Sequence, residues 1–351
     1  MLLEAAAVCA FVGFGIAAYS IRRTGFTVFL HQVKYNYIGF VYYFDDLRKA
    51  RYNRIELPLL SKRVAVVTGG SRGIGAEVVK KLLRCDMDVV VACRRPAAGE
   101  KLVREIRKSG TTIGRAKVRE LNLSSVKSIK AFADWVQREY GRVHMLINNA
   151  AVMFPPTYTE TEDGFEEQWG VNYLSHFLLT ALLLPCLQNA GQTGGYSRIV
   201  NVSSCALDIA TIDFDYIRNS SRRPFNTYAS YGQSKLAQIM FTLKLDKLLR
   251  DKSLKVQAYC VHPGIVRTDL FKETLLGRHK WLMIRWKTAE EGATPIVYTA
   301  VNKEVEYKGG LYISNCKELP IPPHALVEKT QKELFDLSLE QLQLRDFFQF
   351  L

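Results

Sequence analysis

From about residue 60 onward, short apolar runs alternate with longer amphipathic stretches. Val64 to Val67 leads through a glycine-rich turn into AEVVKKLLRCD, and Asp88 to Cys93 leads into GEKLVREIRKSG. HMLINNA precedes a long helical stretch, SRIVNVSS precedes TYASYGQSKLAQIMFTLKLDKLL, and LKVQAYCVHPG ends the series. Runs that are apolar throughout belong to strands covered on both faces, and helix-length connections between them make a parallel sheet. The pattern predicts one α/β domain over residues 60–320, a doubly wound parallel sheet with ligands at the carboxyl ends of its strands. No repeat or long linker interrupts it. The leucine-rich, charged stretch 321–351 fits a helical tail.

The amino-terminal pattern is different. Ala5 to Ile21 carries no charge and is followed at once by Arg22 and Arg23. As a helix it reaches about 25 Å, against roughly 27–30 Å of hydrocarbon, so residues 1–23 are expected to be an uncleaved membrane anchor. A cleaved signal peptide would open with basic residues, whereas this chain opens Met-Leu-Leu-Glu. Lys34, Arg48, Lys49, Arg51 and Arg54 after the span favour keeping that side in the cytosol. Residues 24–59 form a juxtamembrane segment whose Tyr- and Phe-rich stretch, Val33 to Asp46, suits either the lipid interface or a helix packed on the domain.

Composition narrows the partners. The net charge of +14 suits an acidic membrane leaflet, a nucleic acid or a phosphorylated cofactor. No basic recognition helix, zinc spacing or aromatic RNA-binding signature is present, so neither nucleic acid nor a metal is expected. The seven cysteines are scattered, with no Cys-x-x-Cys pair, and read as thiols of a reducing compartment.

Thr68-Gly69-Gly70-Ser71-Arg72-Gly73-Ile74-Gly75 joins a strand to a helix. Glycines there let the backbone approach a pyrophosphate, while the helix offers unpaired N–H groups and its positive end. The second strand ends without the Asp or Glu that would hold the ribose of NAD; Arg94 and Arg95 follow instead. A guanidinium at Arg94 or Arg72 can pair with the extra phosphate of NADP, so NADP(H) is the expected cofactor. Farther on, Tyr231 and Lys235 are four apart on a helix and share a face. A tyrosine of ordinary pKa near 10 needs lowering by roughly 2 to 3 pH units to act near neutrality, and an adjacent ammonium favours that.

These motifs resemble the short-chain dehydrogenase/reductase family, whose cofactor turn reads T-G-x-x-x-G-x-G and whose fold is a Rossmann fold. The resemblance covers about residues 60–320 and implies a catalytic tetrad of Asn172, Ser204, Tyr231 and Lys235. Tyr231 is then the general acid or base and Lys235 lowers its pKa and holds the nicotinamide ribose. Ser204 binds the substrate oxygen, Asn172 holds a relay water, and Ser203 is structural. The cofactor contacts implied are Gly69, Ser71, Arg72, Gly73, Ile74, Gly75, Arg94, Asn122, Leu123 and Asn149, together with Tyr231, Lys235 and Pro263, Gly264 and Thr268 of a loop over the nicotinamide. His262 beside that loop is expected to be structural.

Two positions depart from the family pattern. Asn122 stands where Asp is usual, and Ala151 stands where N-N-A-G has its glycine. DGFEEQWGVNYLSHFLLT and HPGIVRTDL look most like the retinol-dehydrogenase branch, which implies a retinoid, steroid, polyprenoid or other long-chain alcohol or carbonyl. The amphipathic stretch Leu270 to Trp286 is either a substrate lid or a surface helix. The expected setting is the endoplasmic reticulum or a lipid droplet, with the catalytic part facing the cytosol and a homodimer left open. The competing reading is a catalytically silent, cofactor-binding scaffold or regulator tethered to the membrane, supported by Asn122 and Ala151 alone.

Overall fold

The computed structural model describes Arg22 and residues 25–193, 195–268 and 286–351. The expected anchor, Ala5 to Ile21, and the stretch from Leu270 to Arg285 lie outside the described residues.

Strands β1 (Val64–Thr68), β2 (Asp88–Cys93), β3 (Arg115–Glu120), β4 (Met145–Asn148), β5 (Ser197–Val202), β6 (Val256–His262), β7 (Tyr312–Ser314) and β8 (Lys317–Leu319) form one sheet. Their order is β3-β2-β1-β4-β5-β6-β7-β8, parallel except for the final antiparallel pair. The crossover helices are α2 (Gly73–Arg84), α3 (Pro96–Lys108), α4 (Val126–Tyr140), α5 (Glu167–Gly191), α6 (Thr227–Asp251) and α7 (Ala289–Val301). α1 (Phe26–Lys49) precedes the sheet and α8 (Glu328–Gln341) follows it.

The fully apolar strands explain why both faces are covered. Val66, Leu146, Ile199 and Ala258 point into one core with residues of α4, α5, α6 and α8. Ala65, Val67, Ile147 and Val200 point into the other, with residues of α2, α3 and α7. Side chains alternate across a strand, so an apolar residue at every position demands a layer of helices on each side. This is the Rossmann arrangement the sequence pattern predicts.

α5 is the described helix long and apolar enough to cross a membrane, but 94% of that window is buried. It is the central core helix. The tail belongs to the core as well: Phe335 of α8 and Phe347 pack on Phe177 with ring centroids 5.1 and 4.9 Å apart. Phenylalanines buried in this way contribute about 3–5 kcal/mol relative to alanine.

α1 is two-sided. Tyr35, Tyr42 and Asp46 face the protein. Phe26, Leu30, Val33, Tyr37, Phe40, Phe44 and Leu47 lie exposed at alternating spacings of four and three, which puts them in one row on the opposite face.

Candidate active site

The carboxyl ends of β1, β2 and β4 open into a cleft of about 280 Å³. Gly69, Ser71, Arg72, Gly73, Ile74, Gly75, Arg94, Asn122, Leu123, Asn149 and Thr268 line it, joined by Arg95, Ala150, Ala151 and Val171 among others. Tyr231, Lys235, Pro263 and Gly264 are not part of this wall. Gly69 and Gly73 adopt φ of 65° and 56°, the left-handed region in which a side chain is strained. A Cβ on Gly75 would lie 2.4 Å from the Gly69 carbonyl oxygen and 2.7 Å from Asn149 Nδ2, so only glycine lets α2 start this close to the strand ends. Arg72, Arg94 and Arg95 are exposed at the rim, and among the described residues none of them is ion-paired. A backbone cradle at a helix N-terminus, with uncommitted guanidinium groups beside it, fits a phosphorylated dinucleotide.

Thr68 stitches β1 to β4. Its Oγ1 accepts from the N–H groups of Asn149 and Ala150 at 2.9 and 3.0 Å, and Asn149 Nδ2 returns a bond to the Thr68 carbonyl at 2.9 Å. The two departures from the family pattern have local explanations. Ala151 is not among the residues with positive φ, so its methyl group introduces no backbone strain. Asn122 Oδ1 accepts from Ser124 N–H at 3.1 Å, and its Nδ2 donates to Glu162 Oε1 at 2.8 Å, a bond a carboxylate could not donate. Asn122 thus shapes the turn after β3 through protein partners.

The second group of residues lies at the end of β5 and the start of α6. Asn226 caps α6 by accepting from the N–H groups of Tyr228 and Ala229. One turn later Tyr231 and Lys235 share a face, with Lys235 Nζ 5.7 Å from the center of the Tyr231 ring. Tyr231 is 5% exposed and Lys235 2%. Lys235 Nζ donates to the Val202 carbonyl at 2.9 Å, and Ser203 Oγ donates to the Lys235 carbonyl at 2.8 Å. Ser204 remains partly exposed; its Oγ accepts from Ala206 N–H at 3.3 Å, and its hydroxyl lies close enough to Tyr231 to oppose the effect of burial on the phenol.

Asn172 sits in a widened π turn, Gly170–Leu174, inside α5. Such turns rotate a side chain out of the regular helical register and recur at functional sites. Its amide is committed to the protein: Nδ2 donates to the Val152 carbonyl and Ser234 Oγ, both at 3.0 Å, and Oδ1 accepts from Val152 N–H at 2.8 Å. The side chain therefore ties the chain after β4 to α6, beside Lys235. Sequence reasoning missed Ser234, Gln238 and His176, which hold this region by buried hydrogen bonds. Single polar residues inside apolar helices carry no spacing signal by which they could be found.

Electrostatics differ from expectation at Tyr231. Burial pushes its pKa up, and the Ser204 hydroxyl is the opposing influence; Lys235 is not among the causes. Burial lowers Lys235 to about 8, partly opposed by Cys260. Burial also lifts the Cys205 thiol to about 12, which leaves it inert. His144, His176 and His262 are each brought down by burial to about 4 from the ordinary 6.5. A folded-state pKa below the unfolded one contributes stability that is complete above the unfolded value and is lost as pH falls through the folded one. Denaturant midpoints are therefore expected to fall between pH 6.5 and 4, and His176→Gln should flatten the dependence; a midpoint independent of pH across this window would contradict the assignment.

An aromatic wall surrounds Tyr231. Phe154, with φ of 55°, packs 5.2 Å from it, and Tyr35 of α1 packs 5.3 Å from Phe154 and 6.4 Å from Tyr231. A bulky residue at positive φ is strained, and such strain concentrates at functional sites. The loop after β6 completes the region: Gly264 has φ of 94°, and Thr268 lies against Gly73 in the cleft.

The short chain dehydrogenase family model matches residues 63–278. The human protein named polyprenol dehydrogenase is 37% identical over 311 residues, covering 86% of this chain and 92% of that protein. Human retinol dehydrogenase 12 is 40% identical over 288 residues, covering 82% of this chain and 88% of that protein. Among solved structures, an uncharacterized protein from Mycobacterium paratuberculosis superposes with a TM-score of 0.67 at 30% identity, covering 82% of this chain and 96% of the other. With the glycine cradle, the Tyr231–Lys235 face and these similarities together, the chain belongs to the short-chain dehydrogenase/reductase family, in its retinol dehydrogenase-like branch.

Proposed function

We propose that this oxidoreductase is NADP(H)-dependent and interconverts a lipophilic alcohol with its aldehyde or ketone. The observation that carries the reading is the pairing of buried Tyr231 and Lys235 on one face of α6, with the Ser204 hydroxyl close beside the phenol. The glycine turn Gly69–Gly75 and the start of α2 hold the pyrophosphate, and Arg72 and Arg94 hold the ribose phosphate. Asn122 and Leu123 flank the adenine, with Asn149 at the β4 end of the same cleft. Pro263, Gly264 and Thr268 face the nicotinamide, and Lys235 its ribose. When bound, the nicotinamide supplies or accepts the hydride.

The protein's own part is proton transfer and orientation. Ser204 donates a hydrogen bond to the substrate oxygen and so directs its carbon toward the nicotinamide. Tyr231 gives its proton to that oxygen in reduction and takes it back in oxidation. The Lys235 ammonium stabilizes the phenolate that remains. Asn172 keeps α6 in place through Ser234.

Met153, Phe154, Tyr35 and Ala206 cluster around Tyr231 and favor an apolar substrate. The names of the polyprenol and retinol dehydrogenases point to the same class. The test is NADPH oxidation by the detergent-solubilized full chain against retinal, a polyprenal, steroid ketones and fatty aldehydes. Turnover on at least one member is expected; cofactor binding without turnover on any would weigh against the reading.

Membrane attachment belongs to the proposal: an anchor at residues 1–23 and the catalytic part on the cytosolic side of the endoplasmic reticulum or a lipid droplet. The outward row on α1 supports it, because seven exposed apolar side chains suit the lipid interface. A photo-reactive phenylalanine analogue in place of Phe40 is expected to crosslink to phospholipid when the full chain is in vesicles. Crosslinks to protein alone would contradict that orientation.

A further inference from the structure

Asp46, near the end of α1, is 6% exposed. Its Oδ1 lies 2.8 Å from Lys287 Nζ and accepts from Asn315 Nδ2 at 2.9 Å, while Oδ2 accepts from Ile265 N–H at 2.8 Å. Lys287 Nζ also donates to Asn315 Oδ1 at 2.6 Å and to the Pro263 carbonyl at 3.4 Å. Lys287 is 9% exposed and Asn315 is fully buried. One node therefore joins α1, the loop after β6, the residue ahead of the α7 cap, and the β7–β8 turn.

The loop is held on both sides. Lys287 N–H donates to the Ile265 carbonyl at 3.0 Å, and Arg267 N–H donates to the Lys287 carbonyl at 2.8 Å. A Cβ on Gly264 would lie 2.4 Å from Lys287 Nζ and 2.7 Å from Asp46 Oδ2, so the node packs directly on the glycine that turns the loop. A buried ion pair adds little net stability, because desolvation offsets most of the attraction, and an apolar pair of similar volume often folds as well. What the ions supply here is direction: a carboxylate accepting the Ile265 N–H fixes how the loop backbone is turned.

The geometry points to Asp46 as a positioning residue for the nicotinamide half of the cofactor, acting through the loop Pro263–Ile265. This rests on the role given to that loop in the proposed function. Tyr35 lies three turns earlier on the same face of α1 and reaches the wall around Tyr231, so the helix next to the anchor touches both halves of the reaction center. An element outside the sheet thereby becomes part of the active site.

The experiment compares two ligands on the full chain, by calorimetry. NADPH carries the nicotinamide; 2′-phospho-ADP-ribose carries the phosphates and adenosine without it. Asp46→Asn is expected to weaken NADPH about tenfold and to leave 2′-phospho-ADP-ribose within about twofold. Asp46→Asn with Lys287→Met removes the stranded ammonium, and should bring Tm back toward wild type without restoring NADPH affinity. It also carries the comparison should the single variant not fold. Equal losses for both ligands, an unchanged NADPH affinity, or recovery of that affinity along with Tm would overturn the proposal. Wild-type protein that binds neither ligand would refute the proposed function itself, a result distinct from any of these.

Discussion

Replacing Tyr231 with phenylalanine is expected to lower kcat by about a thousandfold while cofactor affinity stays within about twofold, since a positioned acid or base contributes roughly 10²–10⁴ in rate. The substitution removes one hydroxyl and leaves the ring that packs 5.2 Å from Phe154, so the aromatic wall survives. A structural explanation of lost activity is thereby separated from a chemical one. Burial keeps Tyr231 protonated and makes it a weaker acid, so release of its proton to a carbonyl oxygen needs the nearby ammonium of Lys235, which at about 8 sits close to neutrality. Steady-state kinetics with the best substrate of the panel checks the prediction, and a kcat within fivefold of wild type would remove Tyr231 from the chemistry.

The second large effect concerns cofactor choice. Arg72 and Arg94 stand exposed at the rim of the glycine cleft. A charge-assisted hydrogen bond contributes about 1.5–3 kcal/mol, which is tenfold or more in affinity for each arginine. Arg72→Ser with Arg94→Ser is expected to raise the KM for NADPH about a hundredfold and to leave that for NADH nearly unchanged. Both substitutions lie on the surface, so stability should not change. Equal weakening of the two cofactors would mean that the arginines serve the shared pyrophosphate, and no change would assign them to the solvated surface.

The center of the sheet was legible because its strands carry nearly continuous apolar runs, so Val64 to Val67 and Asp88 to Cys93 could be placed from the sequence alone, whereas β3, Arg115–Glu120, is charged and largely exposed and gives no such run. β7 and β8 were not, since strands as short as Tyr312–Ser314 and Lys317–Leu319 give no periodic signal. The two-residue turn between them, Asn315 and Cys316 with φ of 50° and 56°, is visible only in three dimensions. The cradle and the Tyr231–Lys235 pair were readable because their spacing is local. Asn172 was found through a resemblance, yet its hydrogen bonds to Val152 and Ser234 depend on a π turn that no pattern announces.

α1 shows the limit most clearly. Its aromatic stretch suits lipid and protein equally in the sequence, and the structure uses different faces for different surroundings: Tyr35 and Asp46 turn inward, Phe40 and Phe44 outward. Asp46 meets Ile265 and Asn315 across more than two hundred residues, a separation over which spacing carries no information. Ala151 illustrates the converse, because an apparent defect in the motif is harmless once its φ is known.

The most direct test of hydride transfer is isotopic. NADPH carrying deuterium at both C4 positions of the dihydronicotinamide is incubated with the full chain and the best aldehyde of the panel, and the alcohol is analyzed by mass spectrometry. The account predicts one deuterium at the carbinol carbon of the wild-type product and almost none with Tyr231→Phe in the same time. Alcohol formed without deuterium, or equal labeling by the variant, would contradict it.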